Sequence, residues 1–269
     1  MNDRARKRLI ELIYDAEDAL TLGYRRHRPI PDPGRHPGSH PAGLSDDASL
    51  ETGAPGTHPA EAARPPVPAT TEGREAALRE LEQQVLVCTK CPLNEGRTNA
   101  VPGMGVIDPL VMVIGEGPGA QEDARGEPFV GRAGQYLDKW LKAIHLFRDR
   151  NVYITNIVKC RPPGNRDPQP GESAACNPYL ERQIDLIRPR AILAVGRISS
   201  SLLTGRTDGI GRIRGRIYTY RGIPIVPTYH PSGVLRNDQW RRPVWEDLKL
   251  LKSVLDHADG PHSTASGEG

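Results

Sequence analysis

The sequence predicts an α/β protein, a mostly parallel sheet covered by helices on both faces. Two observations carry this. Four short runs, 110–114, 152–158, 191–195 and 223–226, are mostly apolar, as strands buried on both faces read. Helical patterns at 134–144 and 178–187 separate the first three, the alternation that parallel crossovers need.

Residues 4–22 come first in chain order. Leu9, Ile13, Ala16 and Leu20 recur at helical spacing and predict a short amphipathic helix within 1–24. Ten of the 26 prolines fall between Pro29 and Pro68, among Gly, Ser, His and Asp. Such a stretch buries too little apolar surface to offset its ordering entropy, so 25–71 is expected to be a disordered linker. His36, His40 and His58 within it read as solvated. The globular domain is expected over 72–258. Its first helix, 74–87, presents Leu78, Leu81 and Val85 on one stripe. The runs 217–220 and 223–226 flank Arg221-Gly222, a hairpin signature. A helix over 243–255 closes the domain, and the polar tail 259–269 is expected to be disordered.

The 269 residues carry 36 basic and 33 acidic side chains, a net charge of +3. That balance alone does not argue for a nucleic-acid partner. No apolar run is long enough to span a bilayer, and MNDRARKRLIELIYDAEDAL lacks the apolar core of a signal peptide. A cytoplasmic protein with no membrane partner is expected. Its reducing surroundings favour metal-bound thiols over disulfides.

The chain has four cysteines. Cys88 and Cys91 have the two-residue gap that lets two thiolates share one site, and Cys160 and Cys176 lack it. Four thiolates suit a structural zinc or an iron–sulfur cluster. A zinc ribbon would close with a second C-x-x-C, so the spacing favours the cluster. Four unrelated buried thiols, or two disulfides, are the plainer alternatives.

Ligands bind beyond the carboxyl ends of the strands in a parallel sheet. The first expected strand leads into Gly115-Glu116-Gly117-Pro118-Gly119-Ala120. The second carries Asn156, with Lys159 and Cys160 close behind. The last leads into Tyr229-His230-Pro231-Ser232. The glycine-rich turn fits G-x-G-x-x-G/A. However, Pro118 removes one amide donor, and no acidic residue ends a second strand about 20 positions on. Both points speak against a nucleotide-cofactor oxidoreductase. Phe129 sits in a loop beside Pro128, outside any apolar period. A core aromatic and a stacking platform for a flat ligand both fit it. Asn156 as a turn residue and His230 as a structural loop histidine are the plain alternatives to binding roles.

The segments GEGPGAQEDARGEPFVGRAG, TNIVKCRPPGNRDP and YHPSGVLR resemble the motifs of family 4 uracil-DNA glycosylases, the iron–sulfur branch of that superfamily. The resemblance runs from about Glu82 to Leu255 and includes the order and spacing of the cysteines. It implies a three-layer α/β/α sandwich that flips uracil out of single- or double-stranded DNA. The enzyme would then hydrolyse the N-glycosidic bond and so initiate base excision repair. It further implies a structural 4Fe–4S cluster on Cys88, Cys91, Cys160 and Cys176. Phe129 would stack on the flipped uracil, Asn156 would read N3–H and O4, and His230 would donate to O2. The Gly117 and Gly119 turn would supply backbone donors.

The superfamily's water-activating Asp corresponds to Gly117, which leaves Glu116 as the candidate for positioning water, or as a plain turn acceptor. The bulky residue that excludes thymine corresponds to Gly119, which leaves Glu122 as the candidate for the C5 side of the base. Ser232, Leu235 and Arg236 are the candidates for DNA contact, with Leu235 and Arg236 filling the vacated stack. Arg161, Arg166, Arg206, Arg212, Arg214, Arg216 and Arg221 are candidates for phosphates. The stretch after Cys160 lacks the histidine with which some superfamily members trap uracil covalently, so turnover is expected. A monomer is expected, with the N-terminal helix as the candidate tether to a protein partner. A cluster-bearing DNA-binding module without catalysis is the alternative.

The chemistry of these residue types agrees with the resemblance. A base that is to be acted on must leave the stack and be held by stacking and edge contacts. An Asn amide offers both the acceptor and the donor that N3–H and O4 require.

Overall fold

The structure, a computed structural model, describes residues 65–258. The expected helix at 4–22, the linker up to 64 and the tail 259–269 lie outside the described residues. The end of the expected linker is described and makes contacts. Arg182 donates to the carbonyls of Pro65 and Pro66 at 2.7 and 3.2 Å, and Val67 packs on the core. Thr70 Oγ1 accepts the Gly73 amide at 3.1 Å and caps the first described helix.

That helix, α1 (Thr71–Leu86), buries Leu78, Leu81 and Val85 as its stripe predicts. It is followed by α2 (Leu93–Gly96), β1 (Met104–Gly105), β2 (Val111–Gly115), α3 (Ala120–Arg125), α4 (Arg132–Ala143) and β3 (Val152–Asn156). Then come α5 (Pro170–Ile187), β4 (Ala191–Val195), α6 (Arg197–Thr204), α7 (Ile210–Ile213) and the expected hairpin, β5 (Tyr218–Tyr220) with β6 (Ile223–Thr228). Two helices, α8 (Pro231–Val234) and α9 (Arg241–Ala258), end the described chain.

The sheet runs β1-β3-β2-β4-β6-β5. Its four central strands are parallel, and the two edges are antiparallel. Alternate residues face opposite layers. Met112, Ile114, Tyr153 and Ile192 pack with α1 and α5, while Val111, Val113, Ile154 and Leu193 pack with α4 and α9. The result is the expected three-layer sandwich.

Two boundaries and one added strand depart most from the sequence pattern. The helix expected at 178–187 begins at Pro170, where Glu172 reaches back to the Gln169 amide at 2.7 Å. Pro178 therefore lies inside α5, and Cys176 rides on it. Strand β3 stops at Asn156 rather than 158, because the next two amides turn to the Gly115 and Glu116 carbonyls at 2.9 and 3.1 Å. The two-residue β1 has no apolar run to announce it.

Candidate active site and cysteine pocket

The chain moves to one side of β2 for β3 and to the other for β4. Strand ends diverge at such a switch point and open a crevice. Here it is a cleft of about 510 Å³ whose lining includes Glu116, Phe129, Asn156, Asp167 and His230.

Asn156 ends β3 and is 1 % exposed. Its Oδ1 is buried with no hydrogen-bond partner, an uncommon state for a buried acceptor. Gly115 ends β2 alongside. A Cβ there would stand 2.4 Å from Asn156 Oδ1 and 2.6 Å from the Phe129 ring. Only glycine lets amide and ring close in on that strand end together. Phe129 is buried and holds φ at +53°, a left-handed conformation that costs about 1–2 kcal/mol outside glycine. Its ring faces His230, with centroids 5.7 Å apart.

His230 follows β6. The Ser232 amide donates to its Nδ1 at 3.2 Å, and Ser232 Oγ lies 2.8 Å from the same nitrogen. A backbone N–H can only donate, so Nδ1 is the acceptor and the proton of the neutral ring sits on Nε2. Burial pulls His230 down to about 4, Arg236 pushes the same way and Glu122 opposes. At neutral pH the ring is therefore an uncharged Nε2–H donor, a point the sequence leaves open. Ser232 thus sets the tautomer, whereas Leu235 and Arg236, at the end of α8, are exposed.

Glu116 is half-buried, and burial raises it to about 7. The negative charge of Asp167 and a hydrogen bond with it act in the same direction, while Arg197 opposes. Arg197 in turn pairs with Asp167. Asp167 and Arg197 are missed by sequence reasoning. The usable signal for Arg197 is that it directly follows Gly196 at a strand end.

Two expectations change in detail. The Gly119 amide is taken by Glu122 Oε2 at 3.1 Å, so it is not a free donor. Glu122 Oε1 accepts the Val130 and Gly131 amides at 2.9 and 2.8 Å, so the carboxylate clasps the loop carrying Phe129. Its Oε2 stands 2.7 Å from where a Cβ on Gly119 would lie. A Cβ on Gly117 would meet Val158 Cγ2 at 2.8 Å.

Several candidate phosphate contacts are engaged elsewhere. Arg214 pairs with the fully buried Asp247 at 2.7 Å, Arg166 with Glu172 at 2.6 Å and Arg221 with Asp185 at 3.0 Å. Arg206 pairs with Asp208 at 3.4 Å and Arg161 reaches Asn165 at 2.9 Å. Arg212 and Arg216 are exposed.

Behind the strand end lies a second, smaller pocket lined by Cys88, Cys91, Cys160 and Cys176. None of the four is in a disulfide. Among the described residues, no three ligating side chains are grouped as a single ion would need. Burial pushes Cys160 up and Cys176 up to about 11. Cations stand against these sulfurs. The Arg97 guanidinium donates to Cys160 Sγ at 3.0 Å. Lys159 is 1 % exposed and donates only to neutral acceptors: Thr155 Oγ1, the Asn156 carbonyl and Gln183 Oε1, at 2.6, 2.7 and 2.7 Å. A buried ammonium without a carboxylate needs a compensating negative charge, and a thiolate-bound cluster would supply it. The residues fit the group.

Among the described residues, no helix is long and apolar enough to cross a membrane. A family model described as the uracil DNA glycosylase superfamily matches residues 102–249. The chain is similar to the type-4 uracil-DNA glycosylase of Sulfurisphaera tokodaii, 41 % identical over 186 residues that cover 66 % of this chain and 84 % of that protein. It is also similar to the type-4 uracil-DNA glycosylase of Thermotoga maritima, 44 % identical over 186 residues, 68 % of this chain and 96 % of that protein. A type-5 uracil-DNA glycosylase of Pyrobaculum aerophilum is 34 % identical over 149 residues, 49 % of this chain and 65 % of its own.

Proposed function

The chain belongs to the uracil DNA glycosylase superfamily, and we propose that its cleft takes a uracil flipped out of DNA and hydrolyses the bond between base and deoxyribose. The enzyme is a hydrolase of DNA repair and initiates base excision. The observation that carries the reading is Asn156 Oδ1, a buried acceptor without a partner, in a cleft that the Phe129 ring and His230 also line.

Phe129 stacks on the flipped base. Asn156 Oδ1 accepts N3–H, and its amide donates to O4. The bond from C1′ to N1 breaks with its electron pair leaving on uracil, and charge gathers at O2. His230 Nε2–H donates there, and a positioned donor of this kind contributes about 3–4 kcal/mol in a dry pocket. Water adds to C1′ of the oxocarbenium ion. Its proton goes to Glu116, whose raised pKa suits a proton acceptor near neutral pH. The uracil anion takes up a proton from solvent on release and Glu116 returns its proton to solvent, so the products are free uracil and abasic DNA. Glu122, filling the space beside Gly119, crowds the C5 side, where thymine carries its methyl group. Leu235 and Arg236 fill the gap left in the stack.

Cys88, Cys91, Cys160 and Cys176 would hold a 4Fe–4S cluster, which supplies structure and no redox step. A reducing, cytoplasmic setting suits those thiolates. Single- and double-stranded DNA are both taken as substrates by a monomer, and the N-terminal segment 1–24, expected from the sequence to be a helix, is the candidate site for a protein partner.

Incubation with an oligonucleotide carrying one uracil tests the reading. Free uracil and an abasic strand are expected, with nothing released from a thymine control. No release by the pure, cluster-loaded chain would overturn it.

A further inference from the structure

The geometry points to Arg148 as a positioning residue for this reaction: it fixes the backbone that aims the Phe129 ring at the base. The inference rests on the reading of Phe129 as the stacking platform.

Arg148 lies in the loop between α4 and β3, outside the cleft lining. Its Nη1 donates to the Pro128 carbonyl at 2.8 Å and its Nη2 to the Phe129 carbonyl at 2.6 Å. The first carbonyl belongs to the peptide plane before Phe129, and the second to the plane after it. One guanidinium that holds both planes fixes both φ and ψ of the residue between them. That residue is the one with φ of +53°, which an L side chain leaves unless it is held.

The guanidinium is itself aimed. Its Nε donates to Asp138 on α4 at 2.6 Å, and the loop is pinned where the Phe147 amide donates to Asn151 Oδ1 at 2.7 Å. Only an arginine fork offers three donors in fixed directions, and a lysine ammonium cannot reproduce them. The opposite side of the platform is already tight, since a Cβ on Gly134 would fall 1.7 Å from the Phe129 carbonyl oxygen. Glu122 holds Val130 and Gly131 just downstream. Without Arg148, Phe129 can relax to negative φ, and its ring then leaves the face it shares with Asn156 across Gly115.

A double-mutant cycle on the full, cluster-loaded chain tests this, using Arg148→Met, Phe129→Ala and the pair. The readout is single-turnover release of uracil from an oligonucleotide. Displacing a positioned group by about an ångström costs up to about 100-fold, so Arg148→Met is expected to lose about 10- to 100-fold. In the Phe129→Ala background the same change is expected to lose less than about 2-fold, because coupled residues do not add. Arg148→Lys should recover only a small part. Asp138→Asn, which weakens the contact that aims the guanidinium, should lose about 2- to 10-fold, and only while Phe129 is present, which keeps the test open should Arg148→Met not fold. Additive losses around the cycle, or a wild-type rate in folded Arg148→Met, would overturn the positioning role. A wild-type rate in Phe129→Ala alone would instead overturn the platform reading, and this inference with it.

Discussion

Two pockets meet at the segment from Asn156 to Cys160, and they treat charge in opposite ways. The base cleft is open, and two of its titratable groups are shifted toward their neutral forms. His230 is held down at about 4 and Glu116 up at about 7. The cysteine pocket is smaller: the Arg97 guanidinium donates to Cys160 Sγ, and Lys159 lines the pocket beside the four cysteines. The difference teaches what each pocket is made to receive. The cleft meets a charge that exists only while the bond breaks, so donors without net charge are kept ready. The cysteine pocket suits a permanent anion, so it carries standing positive charge. Lys159 joins the two, with its ammonium on the Asn156 carbonyl.

The largest effect is expected at Cys160, which bears on the permanent half. If the proposed cluster is held there, Cys160→Ala should lose its visible absorption, and the chain its cooperative thermal unfolding, before any question of chemistry arises. A folded, colourless variant with full activity would break the contrast between the pockets.

A smaller effect, on the transient half, is expected at Glu116. Its folded pKa of about 7 lies above the ordinary 4.5. The carboxylate that takes a proton from water therefore fills in as pH rises through about 7, and the rate should rise with it. Glu116→Gln should remove that limb and lower the plateau by about 10-fold, less than the roughly 100-fold low end for a general base, because the water meets an oxocarbenium ion already formed. Stability moves the other way. The folded state holds this proton more tightly than the unfolded state, so the contribution is complete below pH 4.5 and lost as pH rises through 7. Glu116→Gln should therefore unfold at a higher temperature than wild type at pH 8. Unchanged pH profiles for both rate and melting would return Glu116 to the status of a turn acceptor.

The parts of this arrangement that were legible in the sequence share a cause. The strands are apolar runs buried on both faces, and Gly115, Asn156 and His230 fall at or just after their ends, where a parallel sheet places its site. The parts that were not legible depend on partners far apart in the chain. Asp167 and Arg197 reach Glu116 from separate segments, and nothing local in HLFRDRNV marks Arg148 as the hold on Phe129. Arg214 read as one of a basic series, yet Asp247 on α9 claims it. Glu122 read as a group facing the C5 side of the base, yet three amides fold onto it. The tautomer of His230 is set by Ser232, two residues away, and follows only once α8 turns that amide back.

The most direct measurement compares single-turnover uracil release by the wild-type chain and by Asn156→Ala, together with their binding to the abasic product strand. Asn156→Ala is expected to release uracil about 100- to 1,000-fold more slowly, the loss that follows removal of positioned hydrogen-bonding groups in a dry site, with product binding within about 2-fold of wild type. Release at the wild-type rate from Asn156→Ala would contradict the placement of the base between Phe129, Asn156 and His230.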